Sequence, residues 1–249
     1  MLFVGVILLI AAAICFFVSR SNESRLHAMN AADTYTAQML AEIHQRITTT
    51  LGADALAEPC EVEGVIECDQ PLNAPLSGTP CVAYTYTVTR EYEERVTRKD
   101  AQGKQETRME QRSETVESDE KCVSFWVRDA TGRTLIAPEG AELDMVENAN
   151  RWEEANRLTS PANTKGYRRI ERILPVGIQV YVLGCAVDNN GQPIIGSGPR
   201  SKSLKFLISR QSERDLARSA ASAARNFRYA AAGCGAVGAV LLVMGLVFG

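Results

Sequence analysis

The sequence predicts a mainly β domain, a small sandwich or a partly closed barrel, held between two transmembrane helices with helical stalks beside the membrane. Three observations carry this. Leu2 to Val18 and Tyr229 to Gly249 hold no charged residue and run 17 and 21 residues, close to the roughly 20 that a helix needs to cross the hydrocarbon core. From Cys60 onward apolar and polar residues alternate at period two, the mark of half-buried strands. No strand–helix alternation of the kind that builds a parallel α/β sheet is present.

The elements follow in order. Residues 1–19 read as a transmembrane helix and 20–52 as a juxtamembrane helix. The first has no Lys or Arg ahead of its apolar run and no small-x-small cleavage site, so it reads as an uncleaved anchor and not a signal peptide. Leu26, Met29, Leu40, Ile43 and Ile47 form one apolar stripe, interrupted at Asp33 and Thr36. That stripe would pair with another helix or lie against the β domain. Gly52 and Pro59 end the segment.

Residues 58–209 form the β domain. Cys60, Val62, Gly64 and Ile66 alternate with glutamates. Val82, Tyr84, Tyr86, Val88 and Tyr92 are expected on one face, with Thr85, Thr87 and Thr89 on the other. Between Arg90 and Lys121, 18 of 32 residues are charged with both signs mixed, which predicts a long solvated hairpin arm or a partly disordered excursion. Cys122 to Arg128 and Arg133 to Ala137 are strands joined by the turn Asp129-Ala130-Thr131-Gly132. Ala141 to Leu158 reads as a polar excursion with a short helix. Ile170 to Leu174, Ile178 to Ala186 and Leu204 to Ile208 complete the strands, the second of them apolar on both faces. Asn189-Asn190-Gly191 signals a tight hairpin.

Residues 210–228 read as a basic helical stalk and 229–249 as the second transmembrane helix. Arg210, Arg214, Arg218, Arg225 and Arg228 are candidate membrane-surface residues, each adding about 1 kcal/mol of attraction to anionic headgroups, with a purely topology-setting charge as the alternative. Ala231, Gly235, Gly238, Ala239 and Gly245 are candidate helix-packing residues, because small side chains at such spacing let backbones approach, within the chain or between copies. Arg20 and Arg25 follow the first apolar segment, and the basic stalk precedes the second. The excess of Arg on that side predicts a cytoplasmic β domain on a bacterial-type inner membrane.

Composition narrows the chemistry. A net charge of −3 does not read as a nucleic-acid binder. Five cysteines outside the apolar segments, Cys60, Cys68, Cys81, Cys122 and Cys185, are an odd, scattered set and are expected as buried reduced thiols. The histidines are His27 and His44, so the β domain has none. No Cys-x-x-Cys pair, Walker loop or nucleophile elbow is found, and no catalytic residue, cofactor or metal is expected. Gly196-Ser197-Gly198 beside Arg200 and Lys202 reads as a flexible turn, with a phosphate nest as the alternative.

The motifs Glu63-Gly64-Val65-Ile66, Pro80-Cys81-Val82-Ala83-Tyr84, Asp129-Ala130-Thr131-Gly132 before Ala137-Pro138, Glu171-Arg172-Ile173-Leu174-Pro175-Val176-Gly177, Val180-Tyr181-Val182-Leu183-Gly184 and Phe206-Leu207-Ile208-Ser209 occur in that order. In this order they resemble the GIDE domain, the membrane-adjacent β domain of MULAN-type mitochondrial E3 ubiquitin ligases and of prokaryotic relatives. The resemblance covers roughly residues 60–215. It implies a membrane-bound β module and an association with ubiquitin transfer. The ligase members carry a RING finger, which needs about eight Cys or His ligands. No such set is present here, so no catalytic or zinc residue carries over. The resemblance also implies an intermembrane-space domain, against the cytoplasmic side that the charges favour.

The expected function is a non-catalytic binding, sensing or scaffold module at the membrane surface, with the bilayer and a protein partner or second copy as its companions. The alternatives are a ubiquitin-ligase-like protein without its RING, and an oligomeric membrane-perturbing effector in stress response or defence.

Overall fold

The structure is a computed structural model. It describes residues 2–52, 55–99, 105–156, 158–198 and 206–247, with side chains except at 2, 25–31, 99, 246 and 247. Gly103, Arg200, Lys202 and Leu204 lie outside the described residues, as do the side chains of Arg25, Leu26, His27 and Met29. In chain order the elements are α1 (Leu2–Ala31), β1 (Asp33–Thr34), α2 (Ala37–Leu51), β2 (Ala57–Glu67), β3 (Leu72–Asn73), β4 (Pro80–Lys99), β5 (Gln105–Cys122), β6 (Phe125–Arg128), β7 (Arg133–Ile136), β8 (Glu142–Leu143), β9 (Val146–Glu154), β10 (Thr164–Pro175), β11 (Gln179–Asn189), β12 (Gln192–Gly196), β13 (Leu207–Ser209) and α3 (Glu213–Val247).

Five strands close into a barrel in the order β2-β6-β7-β12-β11, with β11 returning to β2. The closing pair is antiparallel from Gln179 opposite Val65 to Val187 opposite Ala57. One pair, β7 with β12, is parallel. The inward positions of β2 are the predicted ones: Cys60, Val62 and Ile66 join Phe125, Val127, Val180, Val182 and Ile195 in the core. Gly64 is the inward residue where β2 crosses β6. A Cβ there would lie 2.4 Å from the Arg128 carbonyl oxygen, so any larger residue would push the two strands apart.

The expected juxtamembrane helix is two helices. The break falls where the apolar stripe was interrupted, because Asp33 and Thr34 pair with β2 and the Tyr35 amide donates to the Glu61 carbonyl at 2.9 Å. Thr36 then caps α2 through the Met39 amide. Asp129, in the β6–β7 turn, accepts from the Ala37 amide at 2.7 Å and from the Thr131 and Gly132 amides. That turn thus fastens the helix start to the barrel. Leu40 of α2 is 1% exposed and Ile43 and Ile47 pack beside it, so the stripe lies against the β domain.

A second, half-barrel sheet runs β5-β4-β10-β9, with β3 extending the β5 edge of β4. Its core holds Tyr84, Tyr86, Val88 and Ile173. Val82 does not share their face as expected. A register shift near Leu174 and Pro175 turns it into the barrel core instead. Among the described residues the charged arm is a paired hairpin, from Ala83–Cys122 to Lys99–Gln105. Beyond Tyr92 it stands clear of β10 as a two-stranded ribbon about 20 Å long. The segment expected to hold a short helix forms β9 instead. Its side chains are nearly all exposed, so the burial alternation that marks a strand is absent there.

The hairpin signal at 189–191 holds: Asn190 and Gly191 have φ of 54° and 84°, the pair of positive values this turn requires. All seven cysteines are free; Cys60, Cys81 and Cys185 are buried, Cys68 is half-buried and Cys122 is exposed, so not all five are buried as expected. Burial pushes the Cys60 thiol up to about 12 and the Cys81 thiol up to about 11, leaving both protonated and inert.

Glu171, on β10, is 0% exposed and holds the 74–79 loop over the second core. It accepts from the Leu76 amide at 2.6 Å, the Ser77 amide at 3.2 Å and Asn148 Nδ2 at 3.0 Å. Burial raises its pKa, but these donors together with the Ser77 hydroxyl outweigh it and hold the carboxyl below its ordinary value. Its contribution is therefore complete above the unfolded-state value of about 4.3 and is lost as pH falls through the lower native one. Glu171→Ala is expected to cost about 3 kcal/mol in thermal or urea unfolding of the detergent-solubilised chain. Glu171→Gln should flatten the acid limb of stability against pH, and an unchanged limb would contradict the assignment.

Candidate functional site: membrane stalk and barrel cleft

α1 and α3 lie against each other as an antiparallel pair, and both contain stretches long and apolar enough to cross a membrane. Gly5, Ala12 and Ser19 stand seven apart on α1. Gly5 meets Gly238 so closely that a Cβ on Gly238 would sit 3.1 Å from the Gly5 carbonyl oxygen and 3.2 Å from Leu8 Cβ. Gly235 faces Ala12, and Ser19 Oγ donates to the Ala224 carbonyl at 2.9 Å. Small residues here admit dispersion contacts that larger ones would forbid. Phe16, Phe17, Phe227 and Tyr229 are exposed at one level of the pair, beside Arg20 and Arg225. This is the residue pattern of a membrane–water boundary.

The predicted residues fall as follows. Gly238 is buried in the seam, Ala231, Gly235 and Gly245 are half-buried, and Ala239 is exposed. Arg214, Arg218 and Arg225 are exposed on α3, Arg218 beside Asp215 at 3.5 Å, and Arg228 pairs with Glu23 of α1. Arg210 precedes the helix and shares no face with them. Its guanidinium and amide bond to Asp144, at 3.1 and 3.2 Å. From Glu213 to Arg228 the helix runs about 24 Å before its uncharged segment begins. The barrel therefore stands off from that segment and does not rest on it.

The stalk joins the barrel through a buried network that the alternation pattern concealed. Glu61 occupies an outward position on β2, yet it is 3% exposed. Tyr181 donates its hydroxyl proton to Glu61 Oε2 at 2.5 Å, and Thr34 donates to Oε1 at 2.6 Å. Burial and the Glu61 carboxylate push the Tyr181 hydroxyl far up, so it remains a donor. Around this network Ala32, which follows α1, and Leu216 and Ala217 of α3 pack on Tyr181, Leu183 and Leu207. The Glu213 amide reaches Glu63 at 3.4 Å.

An open cleft of about 330 Å³ lies between the start of the arm and the segment after β7. Leu143 and Met145 form its apolar side, with Tyr84, Glu120, Lys121 and Cys122 opposite. Tyr84 donates to Asp119 at 2.7 Å. The Lys121 ammonium donates to the Tyr84 hydroxyl oxygen, and this bond with the charge of Asp119 raises its pKa. Although Cys122 is exposed, partial desolvation against the cleft wall and the nearby Glu139 and Glu120 raise its thiol, which keeps it protonated. The cleft thus offers charge and apolar contact, with no activated nucleophile. Asp188 has a structural duty: it accepts from the Gly191 amide at 2.9 Å and meets His44 Nε2 at 3.4 Å. Among the described residues no group of three His, Cys, Asp or Glu is placed to hold a metal.

The seam makes a sharp expectation. Gly238→Leu should destabilise the helix pair by about 2 kcal/mol, whereas Gly233→Leu, with nothing within 4 Å, should be neutral. Equal melting temperatures for the two variants in detergent would show that the close approach carries no energy.

The model of one family, GIDE, described as E3 ubiquitin ligase, matches residues 93–244. No curated protein and no solved structure matches the chain. The matched span takes in the arm, most of the β domain and the stalk, and reaches into the apolar end of α3. With the order of motifs and the barrel between two membrane-length helices, it establishes that the chain belongs to the GIDE family.

Proposed function

We propose that this protein is a two-pass membrane protein whose barrel is a non-catalytic binding or sensing module, raised above the bilayer on a helical stalk and facing the cytoplasm. The observation that carries this reading is the junction. Glu61, Tyr181 and Thr34 join the barrel to the chain leaving α1, and Asp144 with Arg210 fixes the chain entering α3. Leu143 of the cleft pairs with Ile208 of β13, and Asp144 beside it holds Arg210, so a shift of β8 on binding would be felt at the start of α3. The cleft beside Lys121 and Met145 is the entry point for an amphipathic ligand or peptide segment. Arg20, Arg214, Arg218, Arg225 and Arg228, all on the barrel side of the apolar stretches, support the cytoplasmic side.

The family's description favours a second reading, participation in ubiquitin transfer. The matched residues contain Cys122, Cys185 and Cys234 and no histidine, so they cannot themselves supply RING zinc ligands. In this reading the barrel serves as the recognition part and another module supplies the transfer.

Two measurements test the first reading. A photo-crosslinking residue at Met145 in intact cells should give one discrete adduct that the same residue at Asn190 does not give; identical patterns from both positions would remove the cleft from the argument. Protease outside intact spheroplasts should spare the barrel and digest it after permeabilisation. Digestion before permeabilisation would reverse the sidedness.

A further inference from the structure

β5 is the edge of the second sheet. One side of it pairs with β4 from end to end, and the other side meets no strand among the described residues. Its side chains are exposed almost throughout. A long open edge is a template for another strand, and like charges along it would be one way of repelling a copy. Here the charges alternate in sign. Glu106, Arg108, Glu110 and Arg112 stand at every second residue, hence on one face of the strand. Turning this stretch end for end about Met109 places every Glu opposite an Arg: Glu106 faces Arg112, and Arg108 faces Glu110. Met109, 52% exposed, sits at the centre on the other face, where a two-fold would set it against itself.

We propose that two copies of this chain associate by antiparallel pairing of β5 with β5 over residues 105–113, centred on Met109. The sheets of the two protomers become one continuous sheet across a two-fold axis. Such an interface uses the same patch on both subunits and closes at the dimer. The existing pairs along the strand, Arg108 with Glu106 at 2.8 Å and Arg112 with Glu110 at 3.0 Å, gain opposite charges across it. The seam residues Gly235 and Gly238 already face α1 of the same chain. The inference goes beyond the binding reading above and does not depend on it, because it concerns the arm and not the cleft.

Charge inversion tests it in the full chain, solubilised in detergent and sized by sedimentation. Wild type should be dimeric. Glu106→Arg with Glu110→Arg leaves only Arg at the four places, and Arg108→Glu with Arg112→Glu leaves only Glu. Each should weaken self-association by about a hundredfold or more. Mixing those two variants should restore a dimer containing one of each. The chain with all four inverted should dimerise with itself yet fail to exchange with wild type, a result that requires only well-folded, dimer-competent proteins. A monomeric wild type overturns the proposal, as do half-inverted variants that keep the wild-type mass, or free exchange between wild type and the fully inverted chain.

Discussion

The pairing of β2 with β11 is the constraint on which the other parts depend. It closes the barrel, and β11 is held on its opposite edge by β12 and β13. Through β13 it positions the start of α3, and through Glu61 on β2 it positions the chain that leaves α1. A strand with partners along both edges and apolar contacts on both faces has little freedom to shift. Val180 and Val182 fill the barrel while Tyr181 and Leu183 pack beneath the stalk. The two membrane-length helices are thus attached to the stiffest part of the domain.

Carboxylates do the fastening elsewhere. Glu61 and Glu171 are buried and half-buried Asp129 joins them; each accepts hydrogen bonds from at least one group remote in the chain, and each holds a loop, a helix start or a junction to a sheet. Such groups are costly to bury unless their oxygens are satisfied. Once satisfied, they favour one arrangement over its neighbours. Glu61 and Glu171 are structural parts of this kind.

The helix pair and the arm show the same economy of shape. Glycine at 5 and 238 allows two backbones to touch, which ties together the two ends of the chain. The arm instead has no apolar face to bury, and backbone pairing with cross-strand charges holds it in place. The core residues Tyr84, Tyr86 and Val88 anchor its base, and the free edge of β5 remains available.

What was legible in the sequence was local. Two uncharged stretches have membrane length, alternation marks β2, a run apolar on both faces marks β11, and Asn190-Gly191 specifies a turn with positive φ, because each depends on residues close together in the chain. The break at Asp33 to Thr36 was visible as an interruption, though not its cause. The tertiary structure decided the rest. Whether the strands closed as a barrel depended on β2 finding β11, more than a hundred residues away. Glu61 read as a solvent-facing residue because its partner Tyr181 lies 120 positions on, and Glu171 carried no local signal of burial because its donors sit in a distant loop. Gly238 faces α1 and Ala239 does not, a distinction set by the crossing of two helices, which composition alone does not contain.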